Sequence, residues 1–111
     1  MLDLSPQQMQ VLERLIAAGF RPVEIRPFEN VLCVRRGDCV AVLVPTPGGG
    51  LRVQAPPAWF IEGNLGVRIR RGGRNLFVWK SKEVEATPER NAELQAFERD
   101  LTELLRSAAP Q

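Results

Sequence analysis

At 111 residues the chain can bury one modest core and has no room for a second, so a single domain covering residues 1–111 is expected. Hydrophobic residues at 44% and charged residues at 25% match globular averages, which argues against a disordered or fibrous chain. A net charge of +2 excludes a general polycation, so any attraction for a polyanion has to come from local clustering of charge.

The first element is announced by its cap. Ser5 stands at the N-cap, Pro6 takes the first helical position and Gln8 completes a capping box, with Leu4 placed to staple onto Met9. Met9, Leu12, Leu15 and Ile16 recur at helical spacing and Gly19 ends the run, which predicts an amphipathic helix over residues 6–18.

From Arg21 the period falls to two, with Val23 and Ile25 alternating with Glu24 before Pro27 interrupts. The runs "VLCV" and "CVAVLV" are rich in β-branched residues and read as a hairpin buried on much of both faces. A three-residue Arg35-Arg36-Gly37 loop between them sets Val34 opposite Asp38 and Cys33 opposite Cys39. "PTPGGG" is a loop between strands, "LRVQA" alternates again, and Pro56-Pro57 end it because neither can donate to a sheet ladder.

Residues 58–80 read as three further strands with turns at Gly63-Asn64 and Gly72-Gly73. Thr87 then caps a last helix, with Pro88 at its first position and Leu94, Phe97, Leu101, Leu104 and Leu105 as its apolar stripe. The expected fold is α+β: an N-terminal helix, an antiparallel meander of about six strands and a C-terminal helix, with the helices packed on one sheet face.

Charge is distributed unevenly along the chain. Residues 66–82 hold Arg68, Arg70, Arg71, Arg74, Lys80 and Lys82 with no acid, whereas residues 83–104 are rich in glutamate and aspartate. A two-residue Gly72-Gly73 loop pairs Ile69 with Leu76 and Val67 with Val78 and sends those four to the core. Arg68 then shares the other face with Phe77 and Trp79, a basic and aromatic surface suited to phosphates and stacked bases. A three-residue loop moves the register by one and sends Phe77 and Trp79 inward instead, making the hairpin ordinary scaffold. The spacing leaves both registers open. Arg68, Arg70, Arg71, Arg74, Phe77, Trp79 and Lys80 are thus the candidate polyanion-binding residues.

A second candidate is the stretch "PPAWFI". Trp59, Phe60 and Ile61 cannot all point inward from one strand, so Phe60 or the pair flanking it is left for a protein interface, unless a loop covers it.

Two short matches carry less. "RRGGR" resembles one unit of the arginine-glycine boxes of RNA-associated proteins, but those repeat, and a single copy is explained by hairpin geometry. Arg36-Gly37-Asp38 resembles the adhesion triplet recognised by integrins; in a chain with no export signal it reads as turn chemistry.

Catalysis finds few footholds. The chain has no histidine to act as a base near neutral pH and no tyrosine, and Cys33 and Cys39 lie in apolar strands where burial quenches a thiol. Two cysteines without histidine do not make a zinc site, and "GGG" at 48–50 lacks the helix and lysine of a phosphate loop. No enzyme, cofactor or metal is expected. The N-terminus lacks the features of a signal peptide and no apolar run approaches membrane-spanning length, so a cytoplasmic protein without a membrane partner is expected.

These observations favour a non-catalytic protein-interaction or self-associating domain. Its partner is a second copy, making a homodimer, or another protein, because a sheet apolar on both faces needs cover that two helices cannot supply. The alternative is a nucleic-acid-binding accessory domain that uses the basic hairpin.

Overall fold

The computed structural model describes residues 4–25, 31–54 and 56–107. Helix α1 (Pro6–Ala17) leads into strands β1 (Arg21–Val23), β2 (Leu32–Arg36), β3 (Cys39–Pro45), β4 (Leu51–Val53), β5 (Ala58–Ile61), β6 (Asn64–Arg71), β7 (Arg74–Trp79) and β8 (Lys82–Glu85), and α2 (Pro88–Ser107) closes the chain. The strands form one antiparallel sheet in the order β1-β2-β3-β5-β6-β7-β8, with β4 also on β3, curled into a half-barrel. The expected α+β order, helix then meander then helix, is the one observed, with eight strands where the turn signals suggested about six.

Helix α1 starts where its cap dictates: the Gln8 amide donates to Ser5 Oγ at 3.1 Å and the Ser5 amide donates to Gln8 Oε1 at 2.9 Å. Its buried stripe is rotated from the expected one. Gln8, Val11, Leu12 and Leu15 face inward, while Met9 and Ile16 are exposed. In α2 the Arg90 amide donates to Thr87 Oγ1, so the cap read from sequence holds there too.

Both helices pack on the same sheet face. Leu12, Leu15, Phe20, Val34, Cys39, Leu43, Trp59, Phe77, Phe97 and Leu101 belong to one continuous buried cluster. A guanidinium closes this core. Arg36 stands 4.7 Å from the Phe20 ring centroid and 5.9 Å from that of Phe97, and bonds Asp100 of α2 at 3.0 Å, which ties α2 to the end of β2.

β4 and β5 share one edge of β3. β4 pairs with Leu43–Pro45 and β5 with Cys39–Val40, and the chain leaves the ladder between them at Pro56-Pro57 because proline has no amide to donate. β6 is shared in a similar way: Asn64–Gly66 pair with β5, whereas Val67–Arg71 pair with β7. The change of partner falls at Gly66, where an added Cβ would lie 2.4 Å from Ile61 Cδ1 and 2.9 Å from the Trp59 carbonyl oxygen. Only glycine lets the sheet fold over at this point.

Several turns differ from the expected ones. The β2–β3 turn is the two residues Gly37-Asp38, with Gly37 at φ 62°, so Arg36 faces Cys39 and Cys33 faces Val42. Cys33 and Cys39 therefore sit on opposite faces of the sheet, one in each of its two apolar clusters. The β5–β6 turn is Glu62-Gly63, one residue earlier than expected, with both residues at positive φ. β8 was not anticipated, because its turn, Lys80-Ser81, puts a lysine at φ 53° where a glycine or asparagine would have signalled a hairpin.

Candidate functional site

The hairpin of β6 and β7 turns on Gly72 and Gly73, at φ 58° and 80°, the two-residue connection that matches strand twist. Its register is the one expected for that loop: Ile69 faces Leu76, Val67 faces Val78, Arg68 faces Phe77 and Arg70 faces Asn75. The assignment of faces is inverted. Phe77 is fully buried and stacks on Trp59, with ring centroids 5.0 Å apart and an interplanar angle of 7°. Val67, Ile69, Leu76 and Val78 lie on the face away from the helices. Register fixes which residues pair, but the side on which the helices pack decides which face becomes the core.

Phe77 is thus withdrawn from any ligand-stacking role, and Trp79 is half-buried against the same cluster, with the Lys80 ammonium 4.9 Å from its ring centroid. Arg68, Arg70, Arg71 and Arg74 remain exposed around the turn. Arg68 and Arg70 project from the helix-side face and Arg71 and Arg74 from the other, as strand alternation requires. Arg71 bonds Glu83 at 2.6 Å; among the described residues no ion pair engages Arg68, Arg70 or Arg74. A Cβ added at Gly72 or Gly73 would meet nothing within 4 Å, so the tip stands in open space.

The "PPAWFI" stretch divides by alternation. Trp59 and Ile61 are buried in the main core and are not surface anchors, which corrects the expectation for those two. Phe60 points to the other face, half-buried, with the Arg35 guanidinium 3.9 Å from its ring centroid.

That outer face is the larger feature, and only part of it is visible in the sequence. Ile25, Cys33, Val40 and Val42 form a second buried cluster, flanked by half-buried Val23, Val31, Ala58, Phe60 and Leu65. The pairing continues this face through Val67, Ile69, Leu76 and Val78, of which Val67 is 59% exposed, Ile69 and Val78 are half-buried and Leu76 is buried. Charge lies at its two margins. Arg21 of β1, Arg35 of β2 and Arg52 of β4 share this face on one side, and Glu83 and Glu85 of β8 share it on the other together with Arg71, which is bonded to Glu83, and Arg74. The signal available in sequence was the Glu62-Gly63 turn, which pairs Phe60 with Leu65 and so extends the strip across three strands.

The remaining chemistry is sparse. Burial pushes the Cys33 thiol up to about 11. The Cys39 thiol rises to about 12, mainly through burial, with Glu93 adding to the effect, Arg36 opposing it and Asp38 adding further. Neither is a nucleophile at neutral pH. A groove of about 360 Å³ lies between Val53, Gln54, Pro56 and Pro57 on one side and Glu98 and Thr102 of α2 on the other, with one carboxylate and no partner acid or base in its lining. Among the described residues no three metal-ligating side chains come together, and no helix is long and apolar enough to cross a membrane.

No known protein family, curated protein or solved structure matches this chain.

Proposed function

We propose that this protein is a non-catalytic interaction domain that works in the cytoplasm as a homodimer, joined through the outer face of its sheet. The observation that carries this reading is the apolar strip from Phe60 and Leu65 to Val67 and Val78, with arginines at one margin and the carboxylates of β8 at the other. A half-buried apolar strip centred on exposed Val67, with charge at its rim, has the composition of a protein interface. The charge pattern selects the partner. Rotation by a half-turn about an axis through the strip would lay Arg21, Arg35 and Arg52 of one copy toward Glu85 of the other, Glu83 being paired with Arg71 of its own chain.

The absence of catalysis is supported by a chain without histidine or tyrosine whose two thiols are both buried and held protonated. The compartment is supported by two free, buried cysteines placed where they cannot bridge, as suits a reducing environment.

Sedimentation velocity over a wide concentration range tests the proposal. The expected result is a monomer–dimer equilibrium that weakens by at least about tenfold in Val67→Asp, because the new carboxylate would have to be desolvated in the interface. Val67 is exposed in the single chain, so its replacement leaves the fold in place. A wild-type protein that sediments only as a monomer at every concentration would remove the dimer.

A further inference from the structure

We infer that the tip of the β6–β7 hairpin is a binding site for double-stranded DNA, entering the major groove as a two-stranded ribbon with Arg68 and Arg70 on one face and Arg74 on the other. The inference is independent of the homodimer. It rests on the hairpin's shape and on charges that no ion pair engages among the described residues.

The shape comes from the change of partner at Gly66. β5 accompanies β6 only as far as Gly66, and the chain running on from β8 accompanies β7 as far as Asn75, whose carbonyl accepts from the Ala86 amide at 2.9 Å, so the Arg71–Arg74 pair and its turn project past their neighbours, with Arg68 and Arg70 at the root of the projection. The major groove of B-form DNA, about 12 Å wide, admits a ribbon of this kind, whereas the deep and narrow major groove of A-form RNA does not.

Charge completes the site. Strand alternation places arginines on both faces, so a ribbon lying in the groove presents guanidinium groups to the phosphates of both strands that line it. The glycine turn puts no side chain between the tip and the groove floor. Folding also decides against single strands. Phe77, which a single-stranded ligand would need as a stacking platform, is buried against Trp59, and Trp79 is half-buried with Lys80 beside its ring, so the basic surface keeps little aromatic face and offers mainly phosphate contacts. Arg71 is held by Glu83 and counts as neutralised, which leaves Arg68, Arg70 and Arg74 as the phosphate ligands.

Three phosphate contacts predict a salt slope of about −2.7, so affinity should fall about 40-fold between about 50 and 200 mM salt. Fluorescence anisotropy would be measured with a short mixed-sequence DNA duplex, its single strand and the matching RNA duplex. The expected result is micromolar binding of the DNA duplex at about 50 mM salt, with weaker binding of the other two. Arg68→Ala/Arg70→Ala should cut the slope to about −0.9, and Arg68→Lys/Arg70→Lys should restore most of it. Glu83→Gln should release Arg71, tighten binding at low salt and steepen the slope to about −3.6. All these positions are exposed, so an unchanged melting temperature certifies each variant. Three results would overturn the site: no binding at low salt, single strands or RNA duplex bound as tightly as DNA, or an alanine variant that binds like the wild type. Val67→Asp, which targets the dimer, should leave the salt slope of each hairpin unchanged, so the two proposals fail separately.

Discussion

Truncating Phe77 to alanine separates a core hairpin from a surface one. The ring is 0% exposed, lies 5.0 Å from Trp59 and belongs to the cluster shared by both helices and the sheet. Removing such a side chain costs about 3–5 kcal/mol, because the surroundings refill the cavity only in part. That is a large share of the roughly 5–15 kcal/mol that holds a domain together. For a chain of this size it should lower the melting temperature by roughly 12–20 °C, taking about 4 °C per kcal/mol. Part of the loss is specific to the stack: in a double-mutant cycle with Trp59→Leu the two positions should couple by about 0.5–1.5 kcal/mol. Urea denaturation followed by far-ultraviolet circular dichroism gives both quantities without relying on the fluorescence of the altered stack. Arg68→Ala serves as the internal control. Arg68 sits opposite Phe77 in the ladder but is exposed, so its replacement should change stability by no more than about 0.5 kcal/mol. A Phe77→Ala protein less than about 1 kcal/mol below wild type would refute the burial argument and return Phe77 to the surface.

Gly66→Ala should cost about 1–3 kcal/mol, since its Cβ would press on the Ile61 side chain and on the fixed Trp59 carbonyl; a variant as stable as wild type would mean that the sheet does not turn there. Lys80→Gly should raise stability by up to about 1 kcal/mol by relieving the left-handed backbone at φ 53°, less the contact with Trp79, and a fall in melting temperature would contradict the assigned strain. The cysteines give a pH dependence. Their thiols titrate near 9.0 when unfolded but are pushed up to about 11 and 12 by burial, so the unfolded chain releases protons first and stability is full below pH 9 and declines as pH rises toward 12. Below pH 9 a thiol-reactive disulfide reagent should label neither cysteine of the native protein and both after denaturation; rapid labelling of the native state would show that one of them is accessible.

What could be read from the sequence was local, and what could not was the choice between two faces. Both helix caps follow from a few adjacent residues, so Ser5 with Gln8 and Thr87 with Pro88 place the helix starts without reference to the rest of the chain. The Gly72-Gly73 register is one of two that the spacing leaves open, and the two-residue turn with both φ positive selects it. Which face of that hairpin is buried depends on helices that meet it only in the folded molecule. Arg68 alternates with Val67 and Ile69, and Phe77 with Leu76 and Val78, so either face offered apolar residues to a core. α1 poses the same problem, since Met9 and Ile16 and the pair Val11 and Leu15 define overlapping stripes and the sheet selects the second.

The unread parts share one cause. Arg36 looked like a turn residue and became the lid of the Phe20–Phe97 pair once the turn shortened to Gly37-Asp38. β8 went unnoticed because Lys80 occupies a backbone conformation that its side chain does not favour. In each case the sheet imposed a geometry that the local residues did not advertise. Inverting the hairpin's face also moves its binding potential. With Phe77 and Trp59 inside, the apolar residues that a lone hairpin would hide are turned outward, where they extend the strip running from Phe60 to Val78, and the arginines are left at the tip without aromatic company. One packing decision thereby underlies both proposals: the apolar face proposed to meet its own copy and the cationic turn proposed to meet a phosphate-lined groove.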